Sequence, residues 1–353
     1  MNTETTTREM LDEAKSCFQE LEINFAERNT DQNSPVLVAF LNEGTFFMEL
    51  EVSCREREGA VGIRLKFSKT VAEDYRPDFQ AVINYVNCHL MDVGHFAVPP
   101  ENTDIHLFAS VSLYDGESKR EQIIENLKRV IGQSIEAFKT LLQMGTVCPV
   151  AVMREFIEET VNERKTEAGE SHQPMKMDIE AARKVLGEMQ IYFKEAGLPI
   201  VVESENLGHE IFTDDLRFRS YMIRGNKLIE IIAILVPSHK IVKLSMTSQI
   251  KMVDSTPELL EIMNLKNFLT WDCYWVKFAN QKVIEYRTAY ILPAGQIQRD
   301  HFKRVLKNFL ESGLFQYEYI RRLVENGESV LSLSQDFLRE SVLESKRKLN
   351  HNE

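Results

Sequence analysis

Two asparagines three residues apart, Asn84 and Asn87, return 180 residues later as Asn264 and Asn267. The segments that hold them, Pro77–Asn87 (PDFQAVINYVN) and Pro257–Asn267 (PELLEIMNLKN), also share their apolar spacing. Two further matches follow in the same order. Ile105, Leu107, Ala109 and Val111 return as Ile284, Tyr286, Thr288 and Tyr290, an alternation that reads as a strand and ends at Leu113 and Leu292. Each strand leads through a glycine, Gly116 or Gly295, toward a helix. The stretch 155–163 then reads almost position for position as 336–344. Three segments at nearly one offset restrict the chain to two copies of one domain, at about 7–165 and 178–348. The divisions are 1–165, a linker 166–177 with the Gly, Pro and charge content of an exposed hinge, and 178–353.

Each copy opens with an amphipathic helix. Met10, Leu11, Ala14, Phe18 and Leu21 recur at helical spacing, as do Ala182, Val185, Leu186, Met189 and Phe193. Phe46, Met48, Leu50 and Val52, then Val61, Ile63, Leu65 and Phe67, alternate with polar neighbours, which predicts antiparallel strands with one apolar face. In the second copy the strands are expected at 216–224, 228–236 and 241–252. A helix closing near the asparagine pair, more strand and a long helix (Ile124, Leu127, Ile131, Ile135, Phe138, Leu142) complete the unit. The predicted class is α+β, in the order α-βββ-α-ββ-α, with helices mainly on one face of an antiparallel sheet. Each copy is followed by one extra helix, Pro149–Lys165 or Leu333–Lys348.

This order, the paired asparagines and the stretch from Val283 to Gly327 resemble the YbjN family, whose members are labelled bacterial sensory transduction regulators and whose fold looks like that of type III secretion chaperones. The resemblance spans both copies, about 300 residues, and rests on apolar spacing and the asparagines. It implies an acidic protein that binds other proteins without catalysis, with the tandem acting as a covalent pseudo-dimer. The two extra helices depart from that minimal domain.

Composition narrows the function further. A net charge of -12 disfavours binding to a phosphate backbone. Residues 1–170 carry a net of -13 and residues 171–353 a net of +1, so the copies differ in surface. Arg217, Arg219, Arg224, Lys227, Lys240 and Lys243 could meet an acidic partner or the first copy. Met1–Arg8 is polar and no stretch reaches 18 apolar residues, so neither a secretory signal nor a membrane span is expected. Five scattered cysteines suit a reduced, cytoplasmic compartment.

No phosphate loop, nucleophile elbow or zinc-protease motif occurs, and no catalytic residue, cofactor or metal is expected. The sharpest metal candidates are His89, Asp92 and His95, with Asp104 and His106 after the next turn, and more weakly His209, Glu210, Asp214 and Asp215. Helix-end and turn hydrogen bonding accounts for the first set more simply, because the second copy does not repeat it. The four asparagines read as closing their helices by side-chain to backbone bonds. Partner-binding candidates are Trp271 and Trp275, for which core packing is the default reading, and Phe156, Phe337, Leu338 and Val342 on the extra helices. The extra helices are expected to pack on a neighbouring copy, within the chain or across a homodimer. The expected function is protein binding by a non-enzymatic, chaperone-like regulator through a sheet face or apolar groove. A small-molecule sensor with a site between the copies is the alternative.

Overall fold

The computed structural model describes residues 3–29, 35–44, 46–55, 60–70, 76–99, 104–113, 119–145, 177–201, 216–224, 227–237, 239–248, 256–268, 270, 273–277, 284–292, 295–329, 332–333, 335–336 and 339. Six helices and twelve strands are described in these residues, the strands forming two antiparallel six-stranded sheets. The chain is α+β.

The first half runs α1 (Thr3–Glu20), β1 (Phe25–Asn29), β2 (Pro35–Glu43), β3 (Phe46–Arg55), β4 (Ala60–Thr70), α2 (Arg76–His89), β5 (His95–Ala97), β6 (Asp104–Ser112) and α3 (Lys119–Gly145). The second runs α4 (Ile179–Glu195), β7 (Ile200–Val201), β8 (Leu216–Arg224), β9 (Lys227–Val236), β10 (Ile241–Ser248), α5 (Pro257–Phe268), β11 (Cys273–Lys277), β12 (Ile284–Ile291) and α6 (Arg299–Asn326). The sheet orders are β1-β2-β3-β4-β6-β5 and β11-β12-β10-β9-β8-β7.

Alternation dictates the layers. The register Met48↔Phe67, Leu50↔Leu65 and Val52↔Ile63 continues into Phe67↔Ile105, Leu65↔Leu107 and Ile63↔Ala109, so apolar rows line up across three strands on one face. Met10, Leu11, Ala14 and Phe18 of α1 and Leu127, Val130, Phe138 and Leu141 of α3 bury against that face. At its centre the Phe138 ring stacks on Phe67 at 3.8 Å and meets Phe46 edge-on at 4.9 Å. In the second half Val185, Met189 and Phe193 of α4 and Phe302, Leu306 and Phe309 of α6 do the same for Ile231, Leu244 and Tyr286. Gly313 lets α6 approach closely, since a Cβ there would lie 2.6 Å from Tyr286 Cδ1.

Three features differ from the sequence expectation. Each meander has four strands rather than three, because β1 and β7 precede it. β1 is the short edge segment Phe-Ala-Glu-Arg-Asn, exposed over four of its five residues, and so it lacks the alternation that marks a half-buried strand. The strand expected at 241–252 is described only to Ser248. The middle helices run past their asparagines to His89 and Phe268.

The extra helix Pro149–Lys165, the linker up to Lys176 and most of Leu333–Lys348 lie outside the described residues. At the start of the last segment Leu333 is buried in the second core, and Asp336 pairs with Arg322 at 2.7 Å.

Candidate functional site

β5 and β11 end their sheets, so each would present a row of unpaired backbone N–H and C=O groups. The four asparagines occupy those rows. Within the first half, Asn87 Nδ2 donates to Phe96 O at 2.9 Å, and Phe96 N donates to Asn87 Oδ1 at 2.8 Å. Asn267 brackets Trp275 in the second half, at 3.0 and 2.6 Å. The other two reach across. Asn84 brackets Lys277 of β11 at 2.8 and 2.9 Å, and Asn264 brackets Val98, just past β5, at 2.7 and 3.0 Å. Every carboxamide thus replaces one residue of a missing neighbouring strand. The asparagines bond to strand backbone rather than closing their own helices.

The reciprocity continues around this junction. Phe268 at the end of α5 meets Phe108 edge-on at 5.4 Å, and Arg287 Nη1 donates to Cys88 O, at the end of α2, at 3.0 Å. His95 stacks on Tyr274 at 5.1 Å, and its Nε2 lies 2.7 Å from Asn267 O. His106 is buried between Phe108 and Phe268.

Beside the junction, Asp92 of the first half accepts from Lys243 Nζ at 2.5 Å and from His239 Nδ1 at 2.9 Å, both of the second half. Burial alone would raise its pKa, but the His239 hydrogen bond and the Lys243 charge outweigh burial and hold it well below the usual carboxylate range. This pair lies next to an open cleft of about 420 Å³ lined by Asp92, Glu125, Arg129, Gln133, His239, Lys240 and Ile241.

On the sheet faces away from the helices, two hairpin ends carry exposed apolar side chains. Phe40 (65% exposed) and Phe47 (59%) sit diagonally on β2 and β3, where Phe40 faces Glu49 and Phe47 faces Asn42. Ile223 (75%) and Leu228 face each other on β8 and β9. Phe47 and the Ile223–Leu228 pair lie one step before their turns, and Phe40 lies two residues further back along β2.

The residues expected to form sites are dispersed. Asp92 serves the ion pair, Asp104 pairs with Lys66 at 2.7 Å, and His95 and His106 belong to the aromatic junction. Among the described residues no group of three His, Cys, Asp or Glu side chains could hold a metal ion. His209, Glu210, Asp214 and Asp215 lie outside them. Trp275 follows the core reading and not that of a partner anchor, because the alternation of β11 turns it onto Tyr286 at 4.8 Å, and its Nε1 donates to Gln316 at 2.8 Å. Trp271, Phe156, Phe337, Leu338 and Val342 lie outside the described residues. Of the basic residues singled out, Lys243 meets the first half and Arg219 pairs with Glu230 at 3.0 Å. Burial pushes the Cys17 thiol up to about 11 and those of Cys54 and Cys88 to about 12, so none of the three is a thiolate at neutral pH. No described helix is long and apolar enough to cross a membrane.

The junction carries a pH dependence. Burial, reinforced by the Arg64 charge, lowers the His106 pKa to about 4; Lys66 also faces it and lowers it, while Asp104 opposes the shift. Burial likewise lowers His301, packed on Tyr290, to about 4. A histidine kept neutral by folding leaves the native state with fewer bound protons than the unfolded chain, so stability is whole above pH of about 6.5 and falls toward pH 4. At roughly 1.4 kcal/mol per pKa unit, each histidine accounts for up to about 3 kcal/mol of that loss. The expected result is a melting temperature that is level above pH 7 and declines below pH of about 6.5, with a shallower decline in His106→Phe. An equal decline in parent and variant would remove His106 as a cause.

Set against known protein families, curated proteins and solved structures, the chain matches none of them.

Proposed function

We propose that the two halves are copies of one YbjN-like, type III secretion chaperone-like domain, and that the chain is a non-enzymatic regulator that binds another protein. The common strand order, with the edge strand of each half closed by a helix of the other, supports a covalent pseudo-dimer. A contact that two separate domains would make between chains is completed within one chain.

The observation that carries the binding role is the pair of exposed apolar hairpin ends, Phe40 with Phe47 and Ile223 with Leu228. By strand register Phe47 and Leu228 hold equivalent positions in the two halves, as do Phe40 and Tyr221. Exposed aromatic and aliphatic side chains paired in this way offer a partner apolar area that the fold itself does not use. Retention of a cytosolic partner by the parent chain, and its loss with Phe47→Glu/Ile223→Glu at unchanged circular dichroism and melting temperature, is the expected outcome of a cross-linked pull-down. Equal retention by the variant would place the partner surface elsewhere. The cleft between the halves favours a second reading, a chain that senses a small molecule.

A further inference from the structure

We infer that the cleft between the halves is a binding site for a small organic anion carrying a phosphate or carboxylate group. The first half supplies Asp92 and the α3 residues Glu125, Arg129 and Gln133; the second supplies His239, Lys240 and Ile241. Gln133 is fixed as wall, since its Nε2 donates to Leu90 O at 3.1 Å and its Oε1 accepts from Val93 N at 3.4 Å.

The charges that face the cleft are unequal once their mutual pairing is counted. Asp92 is neutralised by Lys243 at 2.5 Å. Glu125, mostly exposed, engages Arg129 Nη2 at 3.1 Å. Arg129 Nη1 is buried and has no hydrogen-bond partner among the described residues. Lys240 adds a second cation. With Lys243 included, the group is net positive on a chain of net charge -12. With Asp92 paired to Lys243 and Glu125 to Arg129, the Lys240 ammonium is the charge left over at the cleft, and it favours anions over neutral or cationic ligands. The Arg129 side chain is about a quarter exposed, and its outward N–H groups suit a charge-assisted hydrogen bond to a phosphate or carboxylate.

Lys240 supplies a second, independent observation. Its φ is +50°, in the left-handed region, where a side chain is strained and glycine is not. The turn is locked there, because Leu292 N donates to Lys240 O at 2.8 Å. A lysine held at this cost on the cleft wall is accounted for by a use for its ammonium group. Because the walls come from both halves, an occupant would also tie them together. The inference goes beyond protein binding and does not depend on it.

The test is titration of the full chain with inorganic phosphate, citrate and adenosine monophosphate, followed by calorimetry and melting temperature. At least one probe should saturate below about 5 mM and raise the melting temperature by roughly 2 °C or more. Arg129→Gln and Lys240→Gly should each weaken binding about tenfold or more, as expected for loss of a charge-assisted contact. Lys240→Gly should melt no lower than the parent without anion, since glycine accepts the positive φ, so its loss of binding would not reflect unfolding. Lys307→Gln, at an exposed site on α6, should bind as the parent does. Absence of saturation by all three probes at about 20 mM, or unchanged affinity in both cleft variants, overturns the inference.

Discussion

Asn267→Ala is expected to destabilise the second half by about 3 kcal/mol, because it strands two buried backbone groups of Trp275 that now pair with the amide. For a unit of 150–200 residues this corresponds to a fall in melting temperature of roughly 5–10 °C. Asn87→Ala should do the same in the first half through Phe96. The Asn84→Ala/Asn264→Ala double variant should behave differently, since its lost bonds lie between the halves. Each half keeps most of its own core and its own inner asparagine, with Ile241 of the second half seated in the first core, while the junction loses four hydrogen bonds to buried or half-buried backbone. Scanning calorimetry should therefore show one transition in the parent and two in the double variant, provided the halves unfold independently once uncoupled. A single, merely lowered transition in the double variant would mean that other contacts, such as Ile241 in the first core and Asp92 with Lys243, suffice to couple the halves.

The asparagine spacing was visible in the sequence, but its purpose was not. Periodicity reports which residues share a face of one element, and Asn84 and Asn264 act on strands 193 and 166 residues away. Helix closure was the local explanation available for a polar residue near a helix end. The sheets were more legible, because Met48, Leu50 and Val52 and their partners on β4 carry the alternation that a half-buried strand requires. β1 escaped because an edge strand with four exposed residues carries no such pattern.

The cleft was hidden for a related reason. Asp92 read as a turn residue or a metal ligand when only its neighbours His89 and His95 were considered. Its actual partners, His239 and Lys243, belong to the other half. The advance signals were the contrast between an acidic first half and a near-neutral second half and the basic set that includes Lys240 and Lys243, which permit such pairing without locating Asp92. Trp275 shows the converse limit: alternation puts Cys273 and Trp275 on one face, but it takes the tertiary structure to show that this face is the core.

Gly94→Ala should be the most damaging small substitution near the junction. Gly94 precedes β5 with φ +80°, and a Cβ there would sit 2.6 Å from Phe108 O and 3.0 Å from the Ala109 Cβ on β6. The backbone conformation alone costs about 1–2 kcal/mol for a residue with a side chain. The carbonyl contact cannot be relieved by a rotamer change, so β5 must move away from β6 and strain the His95↔Phe108 pairing. Such a shift also draws Phe96 from Asn87 and Val98 from Asn264, carrying the damage from one sheet edge into the contact between halves. Gly197→Ala provides the control, because Gly197 has φ +74° but nothing within 4 Å of its Cβ position. Urea denaturation should give a loss of about 1 kcal/mol for Gly197→Ala and about 4 kcal/mol or more for Gly94→Ala, the difference measuring the close approach of β5 to β6. Equal losses at the two sites would mean that β5 yields without disturbing the asparagine bridges, and the junction would then owe its rigidity to the aromatic stack of His95 on Tyr274 and to the Asp92 ion pair instead.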